Sequence, residues 1–190
     1  MTDGGTDRVL VVCSANQCRS ALAGVLLVEQ LRRLELDVVV DSAGMHAVAG
    51  LPATPPTVAA AAALGVDLSA HRSRPAPPSL IAAADLVLTM ERAHVREVVV
   101  TDPQAFSRTF TLKELVRRGT EVGPREAGEP VPTWLGRVHE GRRAIDLLGG
   151  SDDDDIGDPT GSRLLDHRST AREIDELLAQ VIDLVWPEPA

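Results

Sequence analysis

The stretch Val11-Val12-Cys13-Ser14-Ala15-Asn16-Gln17-Cys18-Arg19-Ser20 decides the reading of the chain. An apolar run, Val9 to Val12, stops at a polar segment that opens on Cys13 and carries Arg19 six positions on. From Ala21 to Leu34 the chain turns apolar again over a helical length, with apolar side chains at 22, 25, 26, 28 and 31 on one stripe. The pattern predicts strand, tight loop, helix. Backbone N–H groups of a loop entering a helix N-terminus converge on a point where the helix dipole favours an anion. Arg19 adds a planar fork of donors suited to a tetrahedral oxyanion. Cys13 would sit beneath that point, where a nearby arginine and helix N-terminus turn a thiol into a nucleophilic thiolate. Ser20 is placed to hydrogen-bond it. The bland alternative, a buried structural cysteine at a strand end beside a solvated arginine, leaves the strand–loop–helix setting unexplained.

Outward from this loop, strands alternate with helices. Arg8 to Val12 reads as a buried strand and Asp37 to Val40 as a second, ending at Asp41-Ser42-Ala43-Gly44. The Ala-rich stretch Pro56 to Leu64 is a helix stopped by Gly65, and Pro78 suits the first turn of a short helix through Ala84. Asp85 to Thr89 is a third strand, Glu91 to Val100 a helix, and Ser107 to Phe110 a fourth strand. Thr111, with Glu114 three residues on, caps a helix to Arg118. Thr120 to Pro132 reads as a loop, Trp134 to Leu148 as a helix, Ser151 to Gly161 as a polar loop, and Asp166 to Trp186 as the closing helix. The alternation predicts an α/β three-layer sandwich: a four-stranded parallel sheet in flavodoxin-like order with helices on both faces. Ligands bind at the carboxyl ends of such strands, and Cys13 and Ser42 both fall there.

The 190 residues are expected to form a flexible tail over 1–7 and a single domain over 8–186. No apolar run approaches the ~20 residues of a membrane span. A net charge of −9 argues against nucleic acid or an anionic membrane as a partner. Two cysteines five apart in one loop make no disulfide framework, so a cytoplasmic protein with reduced thiols is expected. His46, His94, His139 and His167 show no metal spacing and receive no role; no cofactor or metal is expected.

Cys13-Ser14-Ala15-Asn16-Gln17-Cys18-Arg19-Ser20 resembles the phosphate loop of the low-molecular-weight protein tyrosine phosphatase family. Three further segments match in order: Asp41-Ser42-Ala43-Gly44, Ala70-His71-Arg72-Ser73-Arg74, and Ile156-Gly157-Asp158-Pro159-Thr160-Gly161. The resemblance implies hydrolysis of a phosphate monoester, on a phosphorylated protein or a small phosphorylated substrate, through a cysteinyl-phosphate. It implies Cys13, Arg19 and Asp158 as catalytic residues. Ser14, Ala15, Asn16, Gln17, Cys18 and Arg19 would form the phosphate-binding loop, held in shape by hydrogen bonds among Asn16, Ser20, Ser42 and His71. It also implies that Cys18 can pair with Cys13 under oxidation. A leaving oxygen needs a proton, and Asp158, on a loop stiffened by Pro159, is the candidate donor. The acids Asp152 to Asp155 just before it read as a solvated run; a sharper expectation is that they raise the pKa of Asp158 by like-charge repulsion.

The loop departs from the family pattern at Ala15, in place of a glycine, which would strain the backbone if φ were positive. Ala21 replaces a proline, Gln17 an aliphatic residue or threonine, and Thr160 an aromatic. None of the four aromatics, Phe106, Phe110, Trp134 and Trp186, lies in a motif, so the chemistry is better specified than the substrate. Two rival functions are an arsenate reductase drawing on an external thiol, since no cysteine follows Cys18, and a phosphate-binding module impaired in turnover.

Overall fold

Strand β1 (Asp7–Cys13) is buried from Val9 onward because it lies inside a sheet covered on both sides. The computed structural model describes residues 6–188. Helix α1 (Arg19–Arg33) follows the loop, then β2 (Val38–Gly44), α2 (Pro55–Ala63), α3 (Pro78–Ala82), β3 (Leu86–Thr89) and α4 (Arg92–Thr101). A 3-10 turn (Pro103–Arg108) leads to β4 (Thr109–Thr111), α5 (Leu112–Val122), α6 (Val131–His139) and, after a second 3-10 turn (Ala144–Leu147), α7 (Leu164–Val185). The four strands are parallel in the order β2-β1-β3-β4, the three-layer arrangement anticipated. Cys13 pairs with Gly44, Val12 with Thr89, and Thr89 with Thr111, so the four strand ends share one rim.

Alternation along β1 separates two cores. Val9, Val11 and Cys13 pack with α1, α2, α5, α6 and α7, whereas Leu10 and Val12 pack with Ile81, Ala84, Val98 and Ala105 on the other face. Leu22, Leu26, Leu27 and Leu31 are the buried stripe of α1.

Several boundaries differ from those read in the sequence. β1 begins at Asp7, inside the stretch expected as a tail, because Trp186 Nε1 donates to Asp7 Oδ2 at 2.8 Å and ties the strand to the end of α7. Residues 1–5 of that tail lie outside the described residues. β4 starts at Thr109, since the segment from Pro103 is wound into the 3-10 turn. Thr111 caps α5 as expected, accepting from Glu114 N at 3.1 Å, but the helix runs to Val122 rather than Arg118. Gly119 does not break it. A Cβ there would lie 3.2 Å from the Trp134 ring and 3.0 Å from Leu184, so this glycine serves close packing between α5 and its neighbours. The expected loop 120–132 therefore contains the end of α5 and the start of α6, and the helix expected over 134–148 ends at His139.

Candidate active site

The turn from β1 into α1 puts Cys13 at the sheet rim and Arg19 at the first position of the helix, both buried. The first turn of α1 carries no acidic side chain that would compete for an anion. Asn16 is the turning point, at φ 53°, a left-handed conformation that asparagine tolerates better than most residues. Ala15 avoids positive φ, so the strain its replacement of glycine raised does not arise. What the site asks of glycine lies elsewhere, at Gly44. A Cβ there would meet Ser14 O at 2.6 Å, Asn16 N at 2.8 Å and Ala15 C at 2.9 Å.

Loop carbonyls are held from outside. Met45 N donates to Cys13 O at 3.0 Å, His46 N to Ser14 O at 2.8 Å and Thr54 N to Gln17 O at 3.0 Å. His71 Nε2 is 2.7 Å from Asn16 O, which requires the proton on that nitrogen. The Asn16 side chain saturates itself: Nδ2 donates to Ser20 Oγ at 3.0 Å and to Ser42 Oγ at 3.1 Å, and Oδ1 accepts from Arg74 N at 3.0 Å. Ser20 Oγ lies 2.9 Å from Cys13 Sγ. Having accepted from Asn16, it has one proton and two acceptors within reach, the sulfur and Ala43 O at 3.2 Å. Asn16, Ser20, Ser42 and His71 thus stand together around the loop. Gln17 is tied outward, Nε2 donating to Pro52 O at 2.9 Å.

Arg19 is the hub. Its Nη2 donates to Asp158 Oδ2 at 2.8 Å, its Nη1 donates to Ile156 O at 2.8 Å, and Nη1 also meets Glu91 Oε1. Asp158 comes from a loop 139 residues away and reaches the same rim as Cys13. Burial pushes its carboxyl up, but hydrogen bonds from Thr160 and the Arg19 guanidinium more than offset this and hold it below the ordinary carboxylate value. The direction is opposite to the one expected from the neighbouring acids. Asp154 is buried between Arg92 and Arg117, and Asp155 accepts from the backbone N–H groups of Arg92 and Ser151 at 2.7 and 2.9 Å. The run is neither fully solvated nor aimed at Asp158.

The sequence did not single out Glu91, His94, Thr57 or His167. His94 Nε2 is 2.9 Å from Ser14 Oγ, and burial drives its imidazole toward the neutral form. Cys18 Sγ lies 3.0 Å from Thr57 Oγ1 and 3.7 Å from His167 Nδ1. Burial pushes the Cys18 thiol up to about 11, so it stays protonated near neutrality. No local signal marks these residues; α2, α4 and α7 bring them in only once the sheet is covered.

A cysteine ending a strand of a parallel sheet, and a loop from it into a helix that opens on an arginine paired with an aspartate, is the arrangement of a cysteine-dependent phosphatase. The chain belongs to the low molecular weight phosphotyrosine protein phosphatase family, matching it over residues 8–127. It is 39% identical over 107 residues to the probable low molecular weight protein-tyrosine-phosphatase EpsP of Ralstonia nicotianae, covering 56% of this chain and 71% of that one. It is 36% identical over 108 residues to the protein-arginine-phosphatase of Bacillus subtilis, covering 57% and 71%. A low molecular weight protein tyrosine phosphatase from T. tengcongensis superposes with a TM-score of 0.71 at 30% identity, over 94% of this chain and 99% of that one. Asp158 lies beyond the residues of the family match. Among the described residues no helix is long and apolar enough to cross a membrane.

Proposed function

We propose that residues 8–186 form one phosphatase unit in which Cys13, Arg19 and Asp158 perform the chemistry. Cys13 attacks phosphorus as the P–O bond to the leaving group breaks. Arg19 and the N–H groups of Ser14, Ala15, Asn16, Gln17, Cys18 and Arg19 hold the equatorial oxygens, since the loop carbonyls are engaged on the outside. Ser20, 2.9 Å from the sulfur, positions the nucleophile, and Asn16, Ser42 and His71 hold the loop in shape. Once the substrate phosphate has taken Arg19 from it, the Asp158 carboxyl, protonated in the complex beside the phosphate's negative charge, gives that proton to the departing oxygen. As a carboxylate it then takes a proton from the water that attacks the cysteinyl-phosphate, releasing phosphate and the Cys13 thiolate. The observation that carries this reading is the meeting, on one rim, of Cys13 with Ser20 at 2.9 Å and of Arg19 with Asp158 at 2.8 Å.

The substrate is a phosphorylated protein side chain or a small phosphate monoester, with phosphotyrosine as the first class to test, following the names of the relatives. Phosphoarginine, in which the bond broken is P–N and the proton goes to the departing guanidino nitrogen, is a second class, supported by the arginine phosphatase relative and by where the aromatics lie. Phe110 and Trp134 are in the core, Trp186 is tied to Asp7, and Phe106 packs on His139 and Arg142, so their known contacts offer no ring wall to the loop. Two free thiols suit a reducing cytoplasm.

The test is hydrolysis of an aryl phosphate by wild type, Cys13→Ser and Asp158→Ala, with a chelator present throughout. Turnover that survives in wild type, vanishes in Cys13→Ser and drops steeply in Asp158→Ala is expected. Activity retained by Cys13→Ser would refute the reading.

A further inference from the structure

We infer that Asp154 is a positioning residue for Asp158: clamped between Arg92 and Arg117, it fixes the root of the loop whose tip presents the proton donor. The inference rests on the general-acid assignment of Asp158 made above.

Asp154 is 2% exposed, which is unusual for an aspartate in a run of four acids. Both of its oxygens are used. Oδ2 accepts from Arg92 Nε at 2.9 Å and Nη2 at 2.6 Å, and Oδ1 accepts from Arg117 Nη2 at 3.0 Å. Arg92 opens α4 and directly follows Glu91, the residue that contacts Arg19; Arg117 stands on α5. The carboxylate therefore joins two helices on either side of β4 to one loop. Its neighbours make the same attachment through the backbone. Arg92 N donates to Asp155 Oδ1 at 2.7 Å, Lys113 Nζ to Asp155 O at 2.9 Å, and Ile156 N to Met90 O at 2.8 Å. Ile156 O then accepts from Arg19 itself.

Beyond Ile156 the fastenings change character. Asp158 is held by Arg19, which a bound phosphate would claim, and by Thr160 N at 2.9 Å, which belongs to the same loop. The loop thus has a fixed root and a tip free to exchange partners. A donor that must leave Arg19 and reach a leaving oxygen needs that root, because a small misplacement of a catalytic group is costly in rate. A solvated acidic run would supply no such anchor.

The readout is dependence on the leaving group. A misplaced proton donor penalises a poor leaving group far more than a good one, whereas general damage to the site penalises both alike. kcat/KM is measured for phenyl phosphate and for nitrophenyl phosphate with wild type, Asp158→Ala, Asp154→Asn and Arg117→Gln, alongside circular dichroism and thermal melts. Asp158→Ala is expected to lose about 100-fold or more on phenyl phosphate and much less on nitrophenyl phosphate. Asp154→Asn should show the same asymmetry, about tenfold between the two esters. Arg117→Gln, which spares the buried carboxylate and keeps its Arg92 partner, should show it in weaker form. It decides the matter if Asp154→Asn does not fold. Equal losses on both esters, or no loss, in the folded variants would overturn the inference while leaving the role of Asp158 intact. Absence of the asymmetry in Asp158→Ala would instead refute the acid assignment and take this inference with it.

Discussion

Arg19 donates to Asp158 Oδ2 at 2.8 Å, so an arriving phosphate competes with a carboxylate of the same chain for one guanidinium. Asp158→Asn removes that competitor. The Asp158 side chain is 43% exposed, so water and salt screen the pair and it contributes about 1 kcal/mol, not the several of a dry ion pair. That is about fivefold in Kd, and removing a like charge beside the phosphate acts in the same direction. Asp158→Asn is therefore expected to bind inorganic phosphate about fivefold more tightly than wild type at pH 7, measured by isothermal titration calorimetry. The pH dependence follows from the lowered folded pKa. A carboxyl held below its ordinary value keeps its ion pair above the unfolded pKa of about 3.9 and loses it only as pH falls through the lower folded value. The ratio of the two affinities should hold from about pH 8 to pH 5 and close only below about pH 4. Titration of phosphate itself affects both proteins and cancels. Weaker or equal binding by Asp158→Asn, or a ratio already gone at pH 6, would refute the competition.

Gly44→Ala forces a Cβ against three backbone atoms of the phosphate loop, the nearest at 2.6 Å. It should cost about 1–3 kcal/mol in a thermal melt and abolish aryl phosphate hydrolysis, whereas Gly136→Ala, inside α6 with open space around it, should leave hydrolysis unchanged and stabilise by up to about 1 kcal/mol. Asn16→Ala removes both bonds donated by Nδ2 and the one accepted by Oδ1, and places alanine at φ 53°. A loss of about 2–3 kcal/mol is expected, of which Asn16→Gly should recover about 1 kcal/mol by relieving the backbone alone. Since the Cys18 thiol sits at about 11, iodoacetamide near pH 7.5 should alkylate Cys13 and spare Cys18, as located by tandem mass spectrometry; labelling of Cys18 first would contradict the environment described for it.

The sheet and the loop were legible because their signals are local. β1 is a buried parallel strand and reads as an unbroken apolar run; the polar loop and the apolar stripe of α1 follow at once. The second half was less legible for reasons seen at particular residues. The helix read from Thr111 stops at Arg118, yet α5 passes on through Gly119, a glycine that Trp134 and Leu184 leave no room to replace. Val131 and Pro132 open α6 inside a stretch whose Gly, Pro and Glu content reads as loop. The acids at 152–155 look solvated because the arginines that bury Asp154 stand on α4 and α5, remote in sequence. Glu91 and His94 were hidden for the same reason: a contact with Arg19 or Ser14 across the rim leaves no trace in local periodicity.

The separation of 139 positions between Arg19 and Asp158 also sets a schedule. At the usual pace of synthesis, 5–20 residues per second, about 7 to 28 s separate the emergence of the cysteine loop from that of the aspartate proposed as its proton donor. During that interval the core that buries Cys13 lacks the side chains that α7 contributes, Ile174, Leu178 and Val181 among them, so the thiol is expected to be open to oxidants and electrophiles. A newborn chain is thus more vulnerable to inactivation than the finished enzyme. The last loop to be made is the one that brings Asp158 to Arg19.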